Sequence, residues 1–250
     1  MKIKNIIHLG MVDSTNNYAR GLVMHKASEE GAVVLARHQS RGRGHGQNAW
    51  ESEKGRNLTF SVILKPAFLD PARQFCLSMV ASLGICDFLS EEIQDVKIKW
   101  PNDIYFHKKK LGGILIENIL TGRSITDSIV GVGLNINQEA FPASLPNPVS
   151  LKQLTNKEYN LDDCLYKICS NIFVWYEKLK AGEIKKIFEA YVKNLFRLNE
   201  WSEYKKGGSR FSGRITGIDE SGRLKVETRN EGILSFAFKE VEYIIIDKEG

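Results

Sequence analysis

The stretch VKIKWPNDIYFHKKKLGGILIENILTGRSITDSIVGVGLNI, residues 96–136, decides the fold. It is almost continuously β-like, and it is broken at Pro101, at His107-Lys-Lys-Lys110 and at Leu120-Thr-Gly-Arg123. Connections this short join antiparallel neighbours, so the segment reads as a meander of antiparallel strands. Helical patterns before and after it make the chain α+β: a mixed, largely antiparallel sheet flanked by helices.

Downstream, residues 137–147 carry Pro142 and Pro146, with Pro148 just beyond, and read as an irregular loop. Apolar spacing of three and four predicts helices over 161–179 and 183–198. Beyond Glu200 come short strands with Gly and Asp turns, in 211–228 and 232–238, as in a small β-barrel. The expected units are therefore residues 1–199 and 200–250. Upstream, the opening MKIKNIIHLGMVD suits a first strand, and Asp13 and Ser14 can cap a helix over 16–24. Residues 31–36 and 57–64 read as strands, the second alternating as if half-buried. Residues 71–89 read as an amphipathic helix with Phe75, Met79, Leu83 and Cys86 on one face.

A chain of 250 residues can bury a substantial core, and 35 basic against 30 acidic side chains is not the asymmetry of a dedicated DNA binder. The N-terminal apolar run is interrupted by His8 and Gly10, which suits neither a signal peptide nor a spanning helix. Cys76, Cys86, Cys164 and Cys169 form no CxxC pair and read as buried small hydrophobes in a reducing cytoplasm. The histidines are scattered, and no structural metal is expected.

Between the strands at 31–36 and 57–64 lies RHQSRGRGHGQNAW, residues 37–50, in which Gly42, Gly44 and Gly46 alternate with basic residues. A disordered arm would sit in low-complexity sequence near a terminus. This segment joins two strands, so it reads as an ordered loop whose backbone N–H groups meet an anion. With no apolar anchor to pack on, residues 40–48 are expected to be mobile until a ligand orders them, and Gly44 is expected to need a positive φ.

Three further elements accompany the loop. Lys99-Trp-Pro-Asn-Asp103 presents two short polar side chains at a strand entrance, which alone is as often an Asx turn as a site. Lys110 stands directly before Gly112-Gly113, where backbone and ligand can approach closely. Gly131-Val-Gly-Leu-Asn135 alternates glycine with apolar residues, which alone is weak and fits a sheet-edge strand. Together they supply what adenylyl transfer needs: anion donors, a carboxylate for a metal or an amine, and close backbone contact.

In this order, Ser14-Thr-Asn16, Gln39 with Gly42-Arg-Gly44 and Trp50, Lys99-Trp-Pro-Asn-Asp103, Lys110-Leu-Gly-Gly-Ile-Leu and Gly131-Val-Gly-Leu-Asn135 resemble the biotin protein ligases, also called biotin acetyl-CoA-carboxylase ligases. The resemblance covers essentially the whole chain. It implies a catalytic domain like that of class II aminoacyl-tRNA synthetases, followed by a small SH3-like barrel that completes the site. It implies a two-step reaction with ATP, its Mg2+ and biotin, and then with the lysine of a biotin carboxyl carrier protein or domain. Carried over by position, Ser14, Thr15, Asn16, Gln39, Gly42, Arg43, Gly44, His45, Lys110 and Gly113 surround biotin. Arg43, Trp50, Asn102, Lys110 and Asn135 meet ATP or the adenylate, and Lys110, Arg43 and Asp103 carry the chemistry, with Asp103 able to hold a transient magnesium.

The chain departs from that pattern at His45, where a second arginine often stands, and at Gly46-Gln47, where Arg-Gly often follows. A neutral imidazole does not replace a guanidinium. Met1 falls at the first strand, so the resemblance also implies no winged-helix repressor domain and no nucleic-acid partner; the interrupted apolar run at the start argues against a membrane partner, and monomer and homodimer stay open. A lipoate or octanoate ligase shares the adenylate logic, but the Trp and Pro of the pentapeptide favour biotin. An RNA-binding module would need exposed aromatic platforms, and the aromatics here are core-spaced.

Overall fold

The computed structural model describes residues 1–46 and 48–245. A seven-stranded sheet is built from β1 (Ile6–Leu9), β2 (Val33–Ala36), β3 (Leu58–Leu64), β4 (Val96–Lys99), β5 (Asp103–Phe106), β6 (Lys109–Thr121) and β7 (Ser124–Leu134), in the order β1-β2-β3-β7-β6-β5-β4. β1 and β2 run parallel and the other neighbours antiparallel, so the sheet is mixed and largely antiparallel as expected. The helices are α1 (Thr15–Met24), α2 (Phe75–Ser90), α3 (Leu151–Thr155), α4 (Leu161–Lys180) and α5 (Ile184–Lys193). A second, five-stranded antiparallel sheet follows: β8 (Trp201–Lys206), β9 (Ser209–Ile218), β10 (Leu224–Thr228), β11 (Gly232–Phe236) and β12 (Glu242–Tyr243), ordered β11-β10-β9-β8-β12.

The large sheet has one bulky face and one spare one. Leu58, Phe60, Val62 and Leu64 of β3 join Val130, Val132 and Leu134 of β7 in the main core, against α2. Alternation turns Thr59, Ser61, Gly131 and Gly133 to the opposite face, where α1 lies. Ala19 of α1 packs there on Ile63 and Ile129. Toward the N-terminus of α1 the sheet residues are small, and Thr15 and Asn16 reach down to Ser61 and Gly131 beside a hollow. GVGLN is therefore no edge strand. It is the centre of the sheet, and its glycines make room.

Two expectations about burial change for the same reason. β3 is buried at all seven positions, because both of its faces are covered. Of α2, only Phe75, Ser78, Asp87 and Ser90 escape burial, since it lies between the sheet and the pair α4 and α5. It is a core helix and not an amphipathic one. Residues Pro71–Ser90 are long and apolar enough to cross a membrane by length and composition, and the fold uses that apolarity inside the core.

α4 follows its pattern: Asn160 caps it by accepting from the N–H groups of Asp162 and Asp163, and its buried stripe runs through Leu165, Ile168, Ile172 and Phe173. α5 ends at Lys193, five residues before the expected end, and the chain then turns so that Phe196 N–H donates to Ile98 O at 2.9 Å. The second sheet grips the first where the Trp-Pro element begins, through Trp100 Nε1–H donating to Gly222 O at 2.8 Å. All four cysteines are buried and unpaired. Burial pushes the thiols up, that of Cys164 to about 11 and that of Cys169 to about 12.

Candidate active site

The hollow on the spare face opens into a cleft of about 620 Å³. Its walls are the N-terminus of α1, loop residues 43–45 and 48–50, the starts of β5 and β6, and the turn at 238–243 of the second sheet. Gly131 and Gly133 form the floor, and neither tolerates a side chain. A Cβ on Gly131 would lie 2.3 Å from Asn16 Oδ1, and one on Gly133 would lie 2.3 Å from the Trp50 indole. Those two residues therefore rest directly on the backbone of β7.

One end of the cleft is polar. Ser14 occupies the N-cap position of α1 with extended backbone, yet makes no capping hydrogen bond, and its side chain lines the cleft. Asp13 instead accepts from Asn17 Nδ2 at 2.6 Å. Gln39 Oε1 accepts from Thr15 N–H at 2.7 Å and from Thr15 Oγ1 at 3.1 Å. Ser61 Oγ lies 2.8 Å from Thr15 Oγ1 and 2.7 Å from Asn16 Oδ1. Ser14, Thr15 and Asn16 are nearly inaccessible, and Thr15 and Asn16 are held in place through Gln39, Ser61 and Glu117.

The other end is charged. Lys110 Nζ lies 2.7 Å from Asp103 Oδ1, and Lys99 Nζ lies 3.7 Å from Asp103 Oδ2. A β-bulge puts Lys110 there. Asp103 pairs with Gly113 and Ile104 with Gly112, but Tyr105 then pairs with Lys110, skipping Leu111. Strict alternation would send Leu111 to the cleft beside Gly113. The bulge sends Leu111 into the core and Lys110 to the cleft. The backbone of Lys110 is fixed from outside, its N–H donating to Asn147 O at 2.7 Å and its carbonyl accepting from Val149 N–H at 3.0 Å. Lys99 lies under the rings of Tyr105 and Tyr243, and burial lowers its pKa, with Asp103 opposing.

Arg43 reaches from the glycine loop to Glu117 of β6 with both terminal nitrogens, at 3.1 and 3.2 Å, and to Asn17 Oδ1 at 2.8 Å. Glu117 also accepts from Asn16 Nδ2 at 2.9 Å and faces Arg20 at 3.5 Å.

The loop does have something to pack on. Gly44 N–H donates to Asn48 O at 2.8 Å and Trp50 N–H to Gly42 O at 2.9 Å, around a bridge between Arg43 and Ala49. The His45 ring lies 3.9 Å from that of Phe238, an apolar anchor supplied by the second sheet. Burial, with Lys239 nearby, lowers the His45 pKa below the usual histidine value, against the pull of Asp103. The left-handed position is Gly46, with φ +70°, and not Gly44. Gly42 is needed by the hairpin itself, since a Cβ there would lie 2.3 Å from Trp50 O. Gln47 lies outside the described residues.

The cleft thus brings together Ser14, Thr15, Asn16, Gln39, Arg43, Gly44, His45, Trp50, Asn102, Asp103, Lys110 and Gly113. Gly42 and Asn135 do not line it. The chain bends after β7, so Asn135 donates to Val149 O at 3.2 Å and ties down the segment that holds Lys110. Asn102 lines the cleft, but its amide donates to Ile114 O at 2.7 Å. Asp103 is a poor fit for a resident magnesium. Two ammonium groups already face it, and the described residues contain no group of three or more potential ligands. Sequence reasoning gave no role to Lys99, Arg20, Asn17 or Glu117, nor to Phe238, Lys239 and Tyr243 of the distant turn. Only Lys99, inside the quoted pentapeptide, carried a local signal.

The model of the biotin/lipoate A/B protein ligase family matches residues 9–135. The chain is 30% identical to the bifunctional ligase/repressor BirA of Bacillus subtilis, over 96% of its own length and 74% of the relative's. It is 30% identical to the biotin--[acetyl-CoA-carboxylase] ligase of Paracoccus denitrificans, over 86% of this chain and 91% of that one. Among solved structures, the biotin protein ligase of Aquifex aeolicus in complex with biotin and ATP superposes with a TM-score of 0.82 at 28% identity, covering 96% of this chain and all of the other. The chain belongs to the biotin/lipoate A/B protein ligase family.

Proposed function

We propose that the protein is an ATP-dependent biotin ligase that makes biotinyl-5′-AMP and passes biotin to a lysine of a biotin carboxyl carrier domain. The observation that carries this reading is the polarity of the end of the cleft beside the start of α1. Ser14, Thr15, Asn16 and Gln39 offer both donors and acceptors, as a ureido head group with one C=O and two N–H groups requires. The dithiolane of lipoate or the tail of octanoate would bring neither donors nor acceptors to those groups. The relatives and structures named as biotin ligases support the same choice.

In the first step a carboxylate oxygen of biotin attacks the α-phosphorus of ATP. The new P–O bond forms as the bond to the β-phosphate oxygen breaks, and pyrophosphate leaves with the electron pair. Two anions must meet, so cations are needed where they converge, and Lys110 and Arg43 face that space. Trp50 Nε1 and Tyr243 OH are buried in the cleft wall without a partner among the described residues, which suits them to the nucleotide. In the second step the acceptor lysine must be a neutral amine. Once Lys110 turns to the ligand, Asp103 takes up the amine's proton as nitrogen attacks the mixed anhydride and AMP departs.

Purified protein given ATP, magnesium and either biotin, lipoate or octanoate tests this through pyrophosphate release, followed by mass analysis of an added carrier domain. Biotin alone is expected to support both. Release with lipoate or octanoate in place of biotin would transfer the chain to the rival activity.

A further inference from the structure

Each of the two cations that face the reacting groups is held by a carboxylate, and each carboxylate has a second cation slightly farther away. Asp103 holds Lys110 at 2.7 Å with Lys99 at 3.7 Å. Glu117 holds Arg43 at 3.1 Å with Arg20 at 3.5 Å. Lys99 sits deeper than Lys110, and Arg20 is not among the lining residues. The repeat has a physical use. An arginine or lysine that leaves its carboxylate for a substrate anion strands a carboxylate whose side chain is 16–18% exposed, and an unpaired charge at such a site is costly. A second cation already in place removes that cost.

Resting on the ligase reading above, we propose that Arg20 is a positioning residue for the adenylation step: it is the reserve counter-ion that keeps Glu117 paired when Arg43 is handed to the ligand anion. Lys99 has the same relation to Asp103 and Lys110. Glu117 is the parking place. It holds Arg43 and Asn16 together before the ligand arrives, and so couples the polar and charged ends of the cleft through one side chain. Arg20 is half exposed and projects from α1, so its loss spares the core.

The test compares charged and uncharged ligands on Arg20→Met. Two matched pairs serve: biotin against biotinamide, and AMP against adenosine with biotin saturating. A stranded Glu117 penalises only a ligand that draws Arg43 away by its charge. The charged member of at least one pair is therefore expected to bind about 3- to 10-fold more weakly, while uncharged members stay within about 2-fold. Adding Glu117→Gln removes the stranded charge, keeps a carbonyl for Asn16, and is expected to restore the charged ligand. Equal weakening of charged and uncharged ligands, failure of the second change to restore binding, or no effect on either charged ligand overturns the hand-off. Wild-type protein that binds no biotin would overturn the ligase reading and the inference with it. Normal wild-type binding with no Arg20 effect overturns the inference alone.

Discussion

Gly131 and Gly133 stand two residues apart on one strand, yet alanine at each is expected to damage a different half of the reaction. On Gly133 the new methyl would sit 2.3, 2.6 and 2.7 Å from three indole carbons of Trp50, where ordinary contact begins at 3.4 Å. The ring must retreat by about 1 Å, and a displacement of that size at a reacting centre costs on the order of 100-fold in rate. Trp50 is carried by a loop and is only partly buried, so it can give way, and the stability cost should stay near the lower end of about 1–3 kcal/mol for overpacking. On Gly131 the methyl would meet the Asn16 amide, at 2.3 Å from Oδ1 and 3.1 Å from Nδ2. Asn16 also serves Ser61 and Glu117, so its displacement unsettles the polar end and should weaken biotin binding by about 10-fold or more. Calorimetric titration with biotin, biotin-dependent pyrophosphate release and thermal unfolding, run on both variants, separate the effects. Gly133→Ala should bind biotin within about 3-fold of wild type and fail in pyrophosphate release. If it loses biotin as severely as Gly131→Ala, Trp50 does not guard the nucleotide side and the division of the cleft is wrong.

Lys110→Ala should keep its unfolding midpoint and lose at least about 100-fold in single-turnover adenylate formation; unchanged turnover would remove Lys110 from the reaction. For His45 the folded-state pKa is lowered, so the neutral ring is the one that fits against Phe238, and the contact weakens as pH falls through and below the ordinary value of 6.5. Hydrogen-exchange protection of residues 43–46, corrected for intrinsic rates, should therefore drop between neutral and mildly acidic pH, and a flat profile would show that protonation does not open the loop. Thiol reagents should label none of the four cysteines in native protein, because burial both hides the thiols and raises the pKa of each; labelling that outpaces unfolding would show the α2 and α4 packing to be looser than described.

The elements that local patterning can fix were legible in the sequence. The meander from β4 to β7 showed in its β-branched runs and turn residues, and α4 in its spacing. α3 was overlooked although its capping box, Ser150 with Gln153, was in plain view after a proline-rich loop. Burial on the second face of an element was not legible, since it depends on neighbours distant in sequence. That is why β3 looked half-buried and α2 one-sided. The charged end of the cleft shows the same limit at finer scale. Lys110 could be suspected from the glycines after it, but the bulge that swaps it with Leu111 leaves no mark on strand periodicity. Its partner Asp103 carries chemistry by the family resemblance, and the pentapeptide that contains both gives no sign that Lys99 is its second cation.

The glycine loop shows what a local reading loses. Gly42, Gly44 and Gly46 looked alike, as three points where an anion might approach. In the fold they do three things. Gly42 clears the carbonyl of Trp50, Gly44 lines the cleft within the hairpin, and Gly46 turns the chain through a left-handed conformation beside Lys239. The imidazole that stands where an arginine often does is not a weakened copy of that arginine. It packs on Phe238, so the loop is fastened to the second sheet before any ligand binds. A loop fastened by a ring contact has fewer conformations to lose on binding, which favours binding, but must break or keep that contact when an acceptor lysine approaches. Replacing Phe238 by alanine should separate these effects: weaker retention of biotinyl-AMP with unchanged or faster transfer to the carrier if the anchor is a latch, and slower transfer as well if the same contact shapes the acceptor's entrance.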